Sequence, residues 1–375
     1  MDEVEVLIVG AGVVGVCTAL EMLREGRGVL VVERREIGAG ASGNNAGSCA
    51  VQNKLPPFVA IAREAVAIWQ ALQQELEHDG LDLGYVRTGG LRLAETPEEV
   101  KELRQSYRVQ RALGAPVTFM SGDEARAVAP YLGPGIVAAN WCPEDGFCDV
   151  LQAMRVLATT VRRRGGTIWT HTEVSAITRD RTGFRVQTSR GPVRAGRVVV
   201  AAGLWARDLA TTLGAPVPLR PKINILSVTP RVAPVMHHMI THASHRLTMK
   251  QLQVGTVVIG GGWQGEGDYR SYRVWPTFPH LMGNWQLAVR AVPALADLNI
   301  LRAWAGIDGR SPDNLPLVGP VPGLPGAYLM ACCPGGWTMG PFMARMLAEM
   351  IRTRRTPRAV EPFGLHRFVE TGRGA

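Results

Sequence analysis

Three glycines in the spacing Gly-x-Gly-x-x-Gly (Gly10, Gly12, Gly15) and an acid further on, Glu33, are the first residues whose types and spacing suit chemistry. In such a run the first glycine permits a tight turn and the second lets backbone N–H groups approach a pyrophosphate. The third lets a helix pack close to the preceding strand. A helix opening there offers the partial positive charge of its N-terminus to phosphate oxygens. Glu33 could accept hydrogen bonds from a ribose diol, and an acid at that place disfavours a 2′-phosphate, which argues against NADP. The pattern points to a bound dinucleotide rather than a glycine-rich turn of a generic α/β domain. It does not by itself choose NAD over FAD.

The elements that must position these residues are legible around them. Residues 4–9 are an apolar run expected to form a buried parallel strand, 14–24 carry a helical pattern, and a second strand, "GVLVVE", ends on Glu33. Residues 33–57 are a long polar stretch rich in Gly, Ser and Asn, where a nicotinamide-binding fold would run into its next helix. A loop of that length inside a compact domain is usually functional. Its small residues (Gly40, Ala41, Ser42, Gly43, Gly47) would let backbone amides pass close to a flat ring and its phosphates, though a surface loop would have a similar composition.

The glycine motif, the acid and the stretch "GAGASGNNAG" together resemble the D-amino acid oxidase superfamily of FAD enzymes, especially its glycine and sarcosine oxidase-like members and the flavin subunits of opine oxidases and hydroxyproline dehydrogenases. Three later stretches resemble the same family in the same order: "GGTIWTHTEVSAI" (165–177), "AGRVVVAAGLWARDLATTLG" (195–214) and the segment 313–351, whose Gly335, Gly336 and Gly340 form a turn leading into a helix. The resemblance implies FAD, held non-covalently. Its contacts would be Gly10, Gly12, Val13, Val14, Gly15, Glu33 and Arg34 in the first unit of the motif, and Ala41, Ser42, Asn45, Ala46 and Gly47 in the loop. The backbone at Val174 would pass the adenine, and Ala202 and Gly203 would lie near the cofactor, with Trp205, a further contact, opening a helix. Gly335, Gly336, Trp337, Thr338 and Met339 would place a helix N-terminus at the pyrimidine end of the flavin.

The implied fold is α/β: a discontinuous Rossmann-like FAD-binding domain (1–84, 144–220 and 308–365) and a substrate-binding domain (85–143 and 221–307) with a mainly antiparallel sheet flanked by helices. Residues 366–375 are expected to be a mobile tail. Local patterns agree: a strand pair in "YVRTGGLRLAET", an amphipathic helix in "PEEVKELRQSYRVQRALG", and a hairpin in "RLTMKQLQVGTVVIGGGW". "PEDGFCDVLQAMRVLATTVRRRGG" begins with turn residues and continues as a helix.

Flavin amine oxidation needs alignment more than acid–base machinery, so no catalytic acid or base is assigned. A substrate carboxylate would call for a cation, best an Arg. Glycine oxidase-like enzymes carry an Arg where this chain has Asp308, and a second Arg where it has Pro334. The flavin-attaching Cys of sarcosine oxidase-like enzymes aligns with Gly306, and their oxygen-activating Lys with about Val258, so oxidase activity is unsupported. Other cations could serve: Arg246 first, then Lys250 in the same hairpin, Arg302 and Arg310 beside the altered stretch, and Lys54 after the loop. Trp337 could wall the site. The expectation is a FAD-dependent amine or amino-acid oxidoreductase that takes hydride from the carbon next to nitrogen of a D-amino acid, an imino acid or an N-substituted glycine. The alternatives are a flavin subunit of a multi-subunit dehydrogenase and, further off, an NAD-dependent dehydrogenase.

Composition narrows the classes. The chain has 375 residues, enough for about two to three domain-sized units, with 46% apolar and 19% charged residues. Forty-one Lys and Arg outweigh 32 Asp and Glu, but the basic residues are scattered and their densest runs (161–166 and 351–358) are short. This reads as a solvated basic surface, with no nucleic-acid partner. Six cysteines in no Cys-x-x-Cys or zinc spacing suggest reduced thiols in a cytoplasmic protein, and Cys332 and Cys333 read as small buried fillers. His237, His238, His242 and His245 crowd one segment without a carboxylate or Cys at ligand spacing, which suggests solvation and no metal. No signal peptide and no membrane span are expected. The expected partner is a small-molecule amine or amino acid; a partner subunit or a second copy of the chain is a further candidate.

Overall fold

The computed structural model describes residues 2–331 and 335–369. Contacts divide the chain into two units: Met1–Gly43, Leu151–Lys222 and Asp308–Ala375 form the first, Asn44–Val150 and Ile223–Ile307 the second.

The first unit is built on β1 (Asp2–Val9), α1 (Val13–Arg24) and β2 (Val29–Val32). β1 pairs in parallel with β2 on one side and with the strand Gly191–Val200 on the other, Ile8 standing beside Val31 and Val199. Thr167–Trp169 extends the sheet beyond β2, again in parallel, and Ala327–Ala331 joins Gly191–Val200 in parallel. Val174–Arg179 and Phe184–Thr188 continue it as antiparallel strands. Leu7, Ile8, Val31, Val198 and Val199 have no exposure at all. A strand covered on both faces must be apolar on both, which is why these runs read as continuous rather than alternating. α1 packs on β1, β2 and the long helix Gly336–Thr353.

An eight-stranded sheet, all of it in the second unit except residues 308–310 and 220–222, runs Arg302–Arg310, Arg220–Arg231, Thr256–Gln264, Thr248–Gln251, Met239–His242, Gly90–Ala94, Ala138–Cys142, Thr118–Ser121. The expected hairpin is there, with Lys250 opposite Val258. Antiparallel pairing dominates, but Met239–His242 runs parallel to Gly90–Ala94. Leu91, Leu93, Ile240, Met249 and Ile259 form its core with Trp285 and Leu287 of the helix Phe278–Ala291. The amphipathic helix appears as Pro97–Ala112, started by a capping box between Thr96 and Glu99.

Two expectations differ. Tyr85–Val86 and Gly90–Ala94 are both strands but do not pair with each other. The first joins Gly146–Cys148 and the second joins the large sheet. Residues 44–84 and 144–150, read with the cofactor domain, group with the second unit. There Ser48–Cys49 and Tyr85–Val86 flank Gly146–Cys148 in a three-stranded sheet, and the helix Pro56–His78 packs against Tyr85–Val86 and the helix Pro97–Ala112. Of the expected tail, His366–Val369 forms a single helical turn, and residues 370–375 lie outside the described residues. Among the described residues no helix is long and apolar enough to cross a membrane.

Candidate functional site

The glycine turn between β1 and α1 is tight for physical reasons visible at each position. Gly10 has φ 107°, and a Cβ there would lie 2.6 Å from the Ala201 carbonyl oxygen. Gly15 sits in the first turn of α1, where a Cβ would meet the Gly10 carbonyl oxygen at 2.0 Å. Gly12 is the N-cap and offers no side chain to α1. Ser42 supplies the missing acceptor from the loop, its Oγ taking the Val13 N–H at 2.9 Å.

Glu33 holds the turn from the other side. Its Oε2 accepts from the Ala11 N–H at 2.9 Å and its Oε1 from the Arg35 N–H at 2.9 Å. An ionised carboxylate has about four acceptor sites, so capacity for ribose hydroxyls remains. The loop closes through Gly38 N–H to the Ala11 carbonyl (3.0 Å) and Gly43 N–H to the Gly38 carbonyl (2.8 Å). Arg34 lies 4.3 Å from the centroid of the Trp205 ring, and burial lowers its pKa against the pull of Glu33. Trp205 closes the 3-10 turn Gly203–Trp205, with Ala202 before it and the helix Ala206–Thr212 after it; Val174 opens its strand in the same unit and is buried.

At the C-terminal end of this unit Gly335, at φ 85°, caps the helix Gly336–Thr353 and accepts from the Met339 N–H at 3.0 Å. Trp337, Thr338 and Met339 are buried in its first turn. Gly340 belongs to the helix rather than to the turn, where a Cβ would come within 3.5 Å of the Val13 side chain of α1. Cys332, Cys333 and Pro334 lie outside the described residues.

The candidate cations fall in both units. Arg310 of the first unit faces Asp308 at 3.7 Å, and its buried Nε has no hydrogen-bond partner. Burial raises the Asp308 carboxyl, against the opposing pull of Arg310. In the second unit Arg302 is exposed at the start of its strand. Arg246, expected in the hairpin, lies in the turn before it, exposed and 5.0 Å from the Trp263 ring centroid. Burial lowers the Lys54 pKa, with Asp145 opposing. Lys250 is fully buried; its Nζ donates to the Ala46 carbonyl and, at 3.0 Å, to the Ser48 hydroxyl, and burial pushes its pKa down to about 7. Asn45, Ala46 and Gly47 belong to this unit too, Asn45 accepting from the Gly47 N–H at 2.6 Å.

The sequence matches the family DAO, FAD dependent oxidoreductase, over residues 5–350. The chain belongs to the DAO family. It is 27% identical to glycine oxidase of Geobacillus kaustophilus over 97% of each chain, and 27% identical to one of the subunits of opine oxidase from Rhizobium meliloti over 98% of each. The solved L-proline dehydrogenase from P. horikoshii superposes with a TM-score of 0.89 at 27% identity, covering 99% of both chains. The DAO-family cofactor fits this chain's residues: a glycine turn with no room for Cβ atoms, a helix N-terminus without an acid in its first turn, and Glu33 at the end of β2. The family match sets the nicotinamide alternative aside.

Sequence reasoning missed what only folding brings together. Glu33 and Ser42 hold the DAO-family turn through backbone N–H groups, a role no spacing announces. His242 is not solvated: it is 1% exposed, with Glu95 and Glu99 oxygens 3.6 and 3.7 Å from its ring nitrogens. His238 bonds Tyr131 at 2.7 Å, and His245 joins Arg92 and Glu102. Among the described residues no group of three His, Cys, Asp or Glu could hold a metal ion.

Proposed function

We propose that this chain oxidises the C–N bond of a small amine or amino acid, namely a D-amino acid, an imino acid or an N-substituted glycine, whose imine product then hydrolyses to an oxo acid. The family match over residues 5–350 carries this reading, supported by relatives named for glycine, opine and proline oxidation. FAD, when bound, supplies a hydride acceptor at flavin N5. The chain's own groups do the rest. The N–H groups in the first turn of α1, apart from that of Val13, which Ser42 takes, would bind the pyrophosphate. The remaining lone pairs of Glu33 orient the ribose. The N-terminus of the helix Gly336–Thr353 supplies positive potential for charge that develops on the flavin ring.

Binding is non-covalent in this reading. Gly306 occupies the place of the flavin-attaching Cys, and a Cβ there would lie 2.5 Å from that of Asn44, leaving no space for a thiol side chain. Of the candidate cations, Lys250 already spends two N–H groups on protein acceptors. Arg310 keeps a buried Nε without a hydrogen-bond partner and is the stronger candidate for a substrate carboxylate.

A second reading, a flavin subunit that works with a partner, is favoured by the likeness to the opine oxidase subunit over almost the full length of both chains. One experiment tests both: the anaerobic visible spectrum of the purified yellow chain with a panel of D-amino acids, prolines and N-alkyl glycines. Bleaching by one compound supports the first reading. A spectrum that no compound bleaches, but that bleaches once a native partner is added, supports the second. A chain that takes up no FAD overturns both.

A further inference from the structure

We propose that Cys49 and Cys148 are an oxidation site, two thiols that hydrogen peroxide converts to an intramolecular disulfide, with Lys250 taking the first thiol proton. The two sulfurs lie 3.7 Å apart on adjacent strands, and neither residue is more than 1% exposed. A disulfide bond is about 2.05 Å long, so the sulfurs must close by roughly 1.7 Å, within reach of side-chain rotation and a small strand shift. The backbone already ties the pair together: the Cys148 N–H donates to the Gly47 carbonyl at 2.9 Å, and the Cys49 thiol points at the same carbonyl.

Lys250 lies beside both strands. Its Nζ bonds the hydroxyl of Ser48, next to Cys49, and lies 6.0 Å from the ring centroid of Phe147, next to Cys148. Its charge interacts with both cysteines. With burial holding its pKa near 7, a substantial share is neutral amine at ordinary pH and can accept a proton. The other described cysteines have different neighbours. Cys17 has Glu21 nearby and Cys142 has Asp145, carboxylates that add to burial in pushing both thiols up.

The step balances. Lys250 takes the proton of one thiol, and the thiolate attacks a peroxide oxygen, breaking the O–O bond. That sulfur becomes a sulfenic acid, and the departing hydroxide is protonated to water by the Lys250 ammonium. The second thiol sulfur attacks the sulfenic sulfur and forms the S–S bond. Its proton leaves with the hydroxyl as a second water. Two thiols are oxidised, and one peroxide is reduced to two waters.

The test uses the full FAD-loaded chain treated with hydrogen peroxide, then alkylated under denaturing conditions and mapped by mass spectrometry. The peptides carrying Cys49 and Cys148 should disappear together into one linked species, about 2 Da lighter than the two thiols and restored by dithiothreitol. Cys17 and Cys142 should remain alkylated. Cys49 and Cys148 recovered as thiols, as unlinked sulfinic acids, or linked to other cysteines would overturn the proposal. In the parent the linked species should form faster as pH rises through about 7 and Lys250 loses its proton, and a Lys250→Met chain should lose that rise; an unchanged pH profile in a folded variant would remove Lys250 from the scheme. Cys148→Ser should trap Cys49 as a sulfenic acid, which dimedone labels. No labelling in that folded variant would also count against it.

Discussion

Replacing Gly15 with Ala sets two effects of opposite sign against each other. Ala is the better helix former, and an ordinary Gly→Ala change inside a helix gains about 1 kcal/mol. Here the added methyl would stand 2.0 Å from the Gly10 carbonyl oxygen and 3.4 Å from the Ala201 Cβ. The nearest obstacle is backbone in a turn at φ 107°, itself packed on the Ala201 carbonyl, so it cannot swing aside as a side chain would. Either the turn or the start of α1 must move by roughly 1 Å, and forced overpacking of this kind costs about 1–3 kcal/mol beyond any propensity gain. The expected net loss is about 2 kcal/mol, a fall in Tm of about 4–8 °C for a unit of this size. Displacing the N–H groups proposed to bind pyrophosphate should also weaken FAD retention about tenfold, the worth of one charge-assisted hydrogen bond. The assay is paired: thermal unfolding of the FAD-free chain, and flavin absorbance remaining after gel filtration. Gly28→Ala is the control, because a Cβ there meets nothing within 4 Å. If Gly15→Ala melts with or above the parent and keeps its flavin, the argument from close packing is wrong.

The same geometry yields three further outcomes. Glu33→Gln replaces one accepting oxygen with an amide that cannot take an N–H from Ala11 or Arg35, so stability should fall by about 1–2 kcal/mol in denaturant titration and flavin should be lost more readily. The Lys250 ammonium persists to about pH 10.5 in the unfolded chain but is lost near 7 in the fold. Between those values the unfolded state binds more protons, so stability should rise with pH from about 7 to 10.5, and Lys250→Met should flatten that slope in melts across the range. Asp145 is fully buried, its carboxyl pushed up by burial, with Oδ1 accepting from Val51 N–H at 2.6 Å and Oδ2 lacking a hydrogen-bond partner. Asp145→Asn keeps the acceptor without the charge and should be near neutral, while Asp145→Ala leaves buried N–H groups of Val51 and Gln52 unmatched and should cost about 2 kcal/mol in the same melts.

The β1–α1–β2 unit was legible because everything that defines it is local: an apolar run, three glycines at fixed spacing, a helical pattern, and an acid at the end of the next strand. The hairpin around Lys250 and the amphipathic helix Pro97–Ala112 were legible for the same reason, whereas the capping box at Thr96 emerged only in the fold. What escaped the sequence depends on pairing at a distance. Nothing in "GSCAV" says that Ser48–Cys49 will find Gly146–Cys148 rather than the cofactor sheet, and that pairing draws residues 44–84 into the second unit. The burial of His242 likewise depends on the helix Pro97–Ala112 folding over a strand that runs parallel, not antiparallel, to its neighbour.

Lys250 shows how a local reading and a folded one can name the same residue for different work. Its place in the hairpin suggested a cation for a substrate carboxylate, and the register sets it opposite Val258. A lysine with no exposure, a pKa near 7 and two N–H groups given to Ala46 and Ser48 is a poor fixed cation at neutral pH. It is a better proton acceptor and a better clamp on the backbone at 46–48. A clamp predicts that Lys250→Met alters this segment whatever the substrate. Hydrogen exchange at the 45–49 amides should accelerate in the variant, while exchange across β1 and β2 stays as in the parent. Unchanged protection at 45–49 would return Lys250 to the candidate substrate-binding cations.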